Sequence, residues 1–243
     1  MVDRHFSDPS LAALYDAFGA GRRDFAFYLP IVMSARSVLD VGCGTGALLH
    51  AAREAGHTGR LCGLDPADGM LQQARKWPDI DWILGDLSAV AWDSQFDLVV
   101  MTGHAFQVFI GDDDLRVALA AMSSALTQAG RLAFETRNPL ARAWETWSAD
   151  HAVEIVDDAG VVARLTHEVN AIDDGVVSFT TTYTSPSWNR PKLSRSRLRF
   201  LDPGSLSVFL SDAGFVIEEQ YGDWGRTPLM ETSPEIITIA RRV

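Results

Sequence analysis

Nine residues, Val38-Leu-Asp-Val-Gly-Cys-Gly-Thr-Gly46, constrain what this chain can fold into more than any other stretch. A short β-branched run leads into glycines at 42, 44 and 46. A segment of helical composition, Ala47-Leu-Leu-His-Ala-Ala-Arg-Glu-Ala55, follows and closes at Gly56. Strand, glycine turn and helix in that order let the backbone approach a ligand with no Cβ between them. The next strand, Arg60-Leu-Cys-Gly-Leu-Asp65, ends in an aspartate nineteen positions after Gly46. A carboxylate at such a strand tip can accept both hydroxyls of a ribose. Alone, Gly42-Cys-Gly-Thr-Gly-Ala47 also fits the loose dinucleotide fingerprint, so the loop identifies a nucleoside-cofactor site better than it identifies the cofactor.

Around that loop the pattern alternates. Strands are predicted at Ser37–Val41, Arg60–Asp65, Asp81–Leu84, Gln95–Met101 and Gly130–Glu135. Helices are predicted at Ala47–Ala55, Met70–Lys76 and Asp112–Leu126, the last opening on three aspartates that suit the helix dipole. This alternation predicts a parallel sheet with helices on both faces. Before it, Ser10 to Val32 reads as two short helices interrupted at Gly19-Ala-Gly21. After Asn138 the character changes. Ala141 to Trp147 reads as a short helix. Val153 to Phe200 is strand-like, with turn signals at Asp158-Ala-Gly160 and Asp173-Asp-Gly175. A small antiparallel sheet of three or four strands is expected there. It would be inserted before a final helix, Gly204–Ala213, and strands Phe215–Tyr221 and Ile236–Arg241. The expected organisation is a helical lid at 1–36, an α/β core at 37–139, an inserted antiparallel β-sheet lid at 140–202 and completion of the core at 203–243.

Composition narrows the function classes. In 243 residues, 47% are hydrophobic and 22% charged, as in globular chains. A net charge of −11 opposes non-specific binding to nucleic acid. No apolar window reaches the length of a membrane span, and the first residues hold no apolar signal-peptide core. Cys43 and Cys62 are not in a C-x-x-C spacing, which suits a reducing cytoplasm. His151 and His167 lack the spacing of a zinc pair, so no metal site is expected. Arg190, Lys192, Arg195, Arg197 and Arg199 form one basic cluster, read as a solvated face of the inserted sheet or as a contact for an anionic acceptor or a protein. Trp144, Trp147, Tyr183 and Trp188 suit either an acceptor pocket or ordinary core packing.

Two acids separate the cofactor classes. Asp40 lies inside the strand before the loop, where a dehydrogenase normally carries an apolar residue, and a buried carboxylate needs a partner such as a cation. Asp86, in Gly85-Asp-Leu87, adds another carboxylate after the third strand. Three carboxylates would repel a pyrophosphate. On these residues the chain resembles the class I S-adenosylmethionine-dependent methyltransferases. Val38 to Gly46 looks like their first motif and Gly63-Leu-Asp-Pro-Ala-Asp-Gly-Met70 like their second. Gly85-Asp-Leu87, Phe96-Asp-Leu-Val-Val100 and Gly130-Arg-Leu-Ala-Phe134 resemble the remaining sheet motifs, in order. The resemblance covers about Tyr15 to Pro139 well and the closing elements loosely. It implies a Rossmann-like doubly wound sheet of about seven strands, the last antiparallel. It implies S-adenosylmethionine as cofactor, S-adenosylhomocysteine as product and a small-molecule acceptor. Gly42 and Gly44 would pass under the methionine moiety and Asp40 would face its ammonium. Asp65, with Pro66 beside it, would hold the ribose. Met70 would pack on the adenine, with Asp86 and Leu87 along its edge. Met101, Thr102 and His104 would line the methyl-donor end. Tyr15 would close on the methyl group as in related sugar N-methyltransferases, and Arg22 or Arg23 would meet the cofactor carboxylate.

A sulfonium is already an excellent methyl donor, so such an enzyme works mainly by alignment and by excluding water. An acceptor that carries a proton also needs a base. His104 follows the fourth strand, and an ordinary imidazole pKa near 6.5 would suit it to that role or to positioning. Two alternatives stand beside this reading: a nicotinamide-dependent oxidoreductase, which Asp40 and Asp86 disfavour, and a non-catalytic module that holds the nucleoside as a ligand. The oligomeric state stays open between monomer and homodimer.

Overall fold

The computed structural model describes residues 2–19, 21–156 and 160–243. The expected turn at Asp158-Ala-Gly160 falls largely outside them. Seven strands form the main sheet: β1 (Ser37–Val41), β2 (Arg60–Asp65), β3 (Asp81–Leu84), β4 (Phe96–Met101), β5 (Leu126–Arg137), β10 (Phe215–Tyr221) and β11 (Glu235–Arg242). Their order is β10-β11-β5-β4-β1-β2-β3. β1 to β5 are parallel, and β11 runs antiparallel to both β5 and β10. The central strands are apolar because helices cover both faces of the sheet. Val38, Leu39, Val99, Val100 and Phe134 are fully buried. On one side lie α4 (Asp24–Ser34) and α5 (Ala47–Glu54). On the other lie α7 (Asp112–Ala125) and α8 (Pro203–Asp212), while α6 (Asp68–Ala74) connects β2 to β3. α8 starts cleanly because Asp202 Oδ1 accepts from the N–H groups of Gly204 and Ser205, with Pro203 at the first helical position.

The second sheet, between β5 and α8, has four antiparallel strands in the order β6-β7-β8-β9: β6 (Val153–Val156), β7 (Val162–Asp173), β8 (Val176–Thr184) and β9 (Lys192–Arg199). Among the described residues no helix is long and apolar enough to cross a membrane.

Three local expectations are corrected. The N-terminal region holds more than two helices: α1 (Arg4–Ser7), α2 (Pro9–Ala12) and α3 (Tyr15–Phe18) precede α4. Asp8 and Pro9 divide the first two, with Asp8 Oδ1 capping the N–H of Ser10. The segment from Ala141 to Trp147 is not one helix but belongs to a run of short 3-10 turns, broken where Arg142 takes a left-handed φ of 46°. β5 starts at Leu126 rather than Gly130, because α7 ends at Ala125 and the chain pairs with β4 at once.

Candidate active site

The carboxyl edge of the parallel strands gathers the site. Gly42, Gly44 and Gly46 all have left-handed φ, at 72°, 56° and 76°, so the turn after β1 requires glycine. A Cβ on Gly44 would meet nothing within 4 Å, which leaves that face of the loop open. A Cβ on Gly46 would sit 2.3 Å from the Trp82 ring, which closes the other side. Asp65 turns back from the end of β2 to hold the loop. Its Oδ2 accepts from Gly44 N and its Oδ1 from Ala67 N, both at 2.8 Å. Burial raises its carboxyl above the ordinary range. Each oxygen keeps lone-pair capacity for a further donor.

Asp40 is 1% exposed and its Oδ1 has no hydrogen-bond partner among the described residues. Burial pushes this carboxyl up to about 7; Arg22 pulls against that, while Asp65, Glu135 and Asp24 add to it. A buried carboxyl with an unanswered oxygen is costly unless a donor completes it.

The N-terminal helices close over this edge. Thr45 of the glycine loop donates to Asp16 at 2.6 Å. A Cβ on Gly69 would lie 2.8 Å from the carbonyl oxygen of Phe6, so α1 rests tightly on α6. Met70 is buried beneath Phe6, Ala12 and Tyr15. A cavity of about 330 Å³ opens under the N-terminal segment and the turn after β4, with Tyr15, Phe18, Arg22, His104, Glu135 and Trp224 among its walls. Tyr15 and Arg22 come together over Gly103: a Cβ there would lie 3.7 Å from the tyrosine oxygen and 3.4 Å from the guanidinium. Arg22 is held by buried Asp24, through Nε to Oδ2 at 3.0 Å and through Nη2. Arg23 stands exposed at the rim.

His104 also lines this cavity. Its backbone takes a left-handed φ of 61°, uncommon outside glycine, and its N–H donates to Glu135 at 2.7 Å. The Tyr28 hydroxyl donates to the other Glu135 oxygen. His104 Nε2 lies 2.9 Å from Glu235 Oε2. Burial, with Arg137 adding to it, lowers the imidazole to about 3. Burial thus favours the neutral ring over the imidazolium. Burial pushes Glu235 up to about 7, against the pull of Arg137.

The other expected site residues do not line this cavity. Met101 turns into the core among Phe106 and Phe134, because its position in β4 faces α7 rather than the cavity. Thr102 is buried, and Pro66 is exposed beside Asp65. Asp86 is exposed and closes its own turn, accepting from Ser88 N at 2.9 Å and from its hydroxyl. Leu87 packs into the core with Trp92. The four aromatics considered for an acceptor pocket divide. Trp144 and Trp147 line a second cavity of about 420 Å³ against β7, with His167 and Glu168. Tyr183 and Trp188 instead pack with Leu11 and Phe18. The basic cluster also divides. Lys192 pairs with Asp8 at 3.1 Å and Arg199 with Asp112 at 2.5 Å, while Arg195 and Arg197 are exposed.

Sequence reasoning missed Asp24, Tyr28, Glu135 and Glu235. Glu135 carried a usable signal, a carboxylate inside an otherwise apolar stretch of strand, the same signature that singled out Asp40. Glu235 carried none, since only the pairing of β11 with β5 brings it to His104.

Residues 38–130 match the model of a family described as a methyltransferase domain. Over 229 residues the chain is 27% identical to dTDP-4-amino-2,3,4,6-tetradeoxy-D-glucose N,N-dimethyltransferase of Saccharopolyspora spinosa, covering 86% of this chain and 87% of that one. Three further curated relatives match over shorter stretches, the alignments spanning 31%, 60% and 52% of their lengths. Among solved structures, the CcbJ methyltransferase from Streptomyces caelestis superposes with a TM-score of 0.77 at 18% identity, over 96% of each chain. CalS10 with bound SAM, an amino pentose methyltransferase from Micromonospora echinaspora, superposes with a TM-score of 0.70 at 21% identity, over 95% of each chain.

Proposed function

From the match of residues 38–130 to a methyltransferase domain we propose that the protein is a class I S-adenosylmethionine-dependent enzyme that methylates an O or N atom of a small-molecule acceptor. The observation that carries the reading is the pairing of an open glycine turn with two buried carboxyls, Asp65 tied to the turn and Asp40 left with an unanswered oxygen. That donor set fits the cofactor: an ammonium would complete Asp40, and ribose hydroxyls would use the remaining capacity of Asp65.

Bound S-adenosylmethionine would supply an electrophilic sulfonium methyl at the end of this cleft. The chain does the rest. Gly42 and Gly44 let the backbone come close. Arg22, whose guanidinium has N–H groups beyond those engaged by Asp24, takes the cofactor carboxylate, with Arg23 at the rim. Pro66, Met70, Asp86 and Leu87 flank the adenine side. Tyr15 and the short helices α1 to α3 exclude water over the donor end. His104, neutral and lining the cavity, accepts the acceptor's proton or holds the acceptor by a hydrogen bond. The inserted sheet braces the N-terminal helices that cover the donor end. The unpaired Cys43 and Cys62 support a cytoplasmic location, and the acidic balance opposes a nucleic-acid acceptor.

The test is calorimetry with S-adenosylmethionine, S-adenosylhomocysteine and NAD, followed by turnover on a panel of hydroxylated and amine acceptors. Binding of the two adenosyl ligands but not NAD is expected. NAD binding in their place would sink the proposal. Tight cofactor binding with no turnover on any acceptor would point to a non-catalytic module.

A further inference from the structure

The His104 ring meets one hydrogen-bond partner among the described residues, the Glu235 carboxyl, 2.9 Å from Nε2. Both side chains are largely buried, 18% and 14% exposed. The ring's mounting is fixed on the other side, where the His104 N–H is anchored on Glu135. Among the described residues Nδ1 meets no hydrogen-bond partner, and His104 is one of the residues that line the cavity.

We infer that Glu235 is a positioning residue that sets the tautomer of His104, holding Nε2 as the N–H and presenting the Nδ1 lone pair to the cavity. This rests on reading the cavity as the methyl-donor end. The logic is that of any buried carboxylate–imidazole pair, in which the partner of one ring nitrogen decides what the other can do. With Glu235 ionised, Nε2–H donates to it and Nδ1 accepts. With Glu235 protonated, its O–H donates to Nε2, the ring proton sits on Nδ1, and His104 faces the cavity as a donor. The two states differ by one proton, and no heavy atom need move. The charged groups around the pair come from two elements, β5 and α4 with its start. Arg137 of β5 lies directly across from Glu235 in the strand pairing, Glu135 belongs to the same strand, and Asp24 and Arg22 reach in from α4 and its start. The Arg137 guanidinium lies over the Trp147 ring and donates to Gln107 at 2.9 Å, so it bears on Glu235 as a neighbouring charge. Burial places the Glu235 titration at about 7, within reach of physiological pH.

Histidine ¹⁵N-labelled protein gives the test without an acceptor. Long-range ¹H–¹⁵N spectra, with His104 assigned by a His104→Asn variant, are recorded from about pH 5.5 to about pH 8.5. Nδ1 of His104 is expected unprotonated at the alkaline end and protonated as the pH falls through the Glu235 titration. Glu235→Gln should abolish that transition and Glu235→Asp should restore part of it. In turnover assays Glu235→Gln should lower kcat by about 10–100-fold, with a smaller change in KM and loss of the rising pH limb. A proton on Nδ1 at the alkaline end would overturn the inference, as would a Glu235→Gln spectrum that titrates like the parent. The wild-type titration decides even where a variant fails to fold. Calorimetry with S-adenosylhomocysteine on the same samples separates the two claims. Absent binding removes the cofactor reading, whereas intact binding with the wrong tautomer removes only the role of Glu235.

Discussion

Both oxygens of Asp65 are committed to backbone N–H groups of the loops that would face a cofactor, so this one side chain couples loop shape to ligand binding. Asp65→Ala is expected to weaken S-adenosylmethionine binding by about 1–3 kcal/mol, the loss of charge-assisted hydrogen bonds, in a protein that still folds. Calorimetry showing unchanged affinity would remove the ribose assignment. His104 calls for a different reading. Because burial keeps its ring neutral, no limb from an imidazolium is expected in its rate profile. His104→Ala should lower turnover about 10²–10⁴-fold if the acceptor's proton passes to it, while S-adenosylhomocysteine affinity stays nearly unchanged. A rise in acceptor KM with kcat preserved would make it a binding residue instead. At this scale the sequence was legible where an acid lay within or at the end of a strand beside glycines, as at Asp40 and Asp65. It was not legible where two distant strands meet, as for Glu235 and His104, because pairing register is a property of the sheet and not of either segment.

Elements were more legible than residues. The glycine turn, the five parallel strands and the four-stranded insertion follow from apolar runs and turn residues, which report burial directly. The N-terminal helices were harder, since pieces of four residues carry no period to read. Their docking was invisible in sequence and matters for the insertion. α1 and α2 attach to the inserted sheet: His5 N–H donates to Ser194 at 2.9 Å, the His5 ring meets the Tyr183 hydroxyl, and Lys192 pairs with Asp8. α3 attaches to the glycine loop through Asp16 and Thr45. The insertion therefore supports the cover over the cofactor cleft. Replacing Val153 to Phe200 by a short linker should leave the seven-stranded sheet folded, since all its pairings lie outside that segment. It should abolish turnover and also weaken cofactor binding, because α1 and α2 lose the part of their support that the inserted sheet supplies. Far-UV circular dichroism and calorimetry measure both. Full activity in the shortened protein would show that the insertion has no part in the site.

Across the whole molecule, buried titratable groups set opposing pH dependences. His5 and His104 are held neutral, at about 4 and about 3, so the unfolded chain takes up more protons as the pH falls below about 6.5 and stability is lost there. Asp40 and Glu235 are raised to about 7, so the unfolded chain releases protons that the folded one keeps. Their contribution is full below the ordinary carboxylate range and disappears as the pH rises through about 7. These four groups nearly cancel between about pH 5 and 6, and stability should fall from about pH 6 to about pH 8. A ligand ammonium beside Asp40 reverses the alkaline part, because a nearby cation lowers a carboxyl pKa and removes the cost of ionising it. S-adenosylhomocysteine at a fixed concentration should then raise the Tm more at about pH 7.5 than at about pH 6. Its binding near pH 7 should release protons, seen as a dependence of the calorimetric heat on the ionisation enthalpy of the buffer. Asp40→Asn should bind more weakly, with no proton release from this site and a Tm shift that no longer grows with pH. If the parent protein showed the same Tm shift at both pH values and no buffer dependence, Asp40 would not face the ammonium.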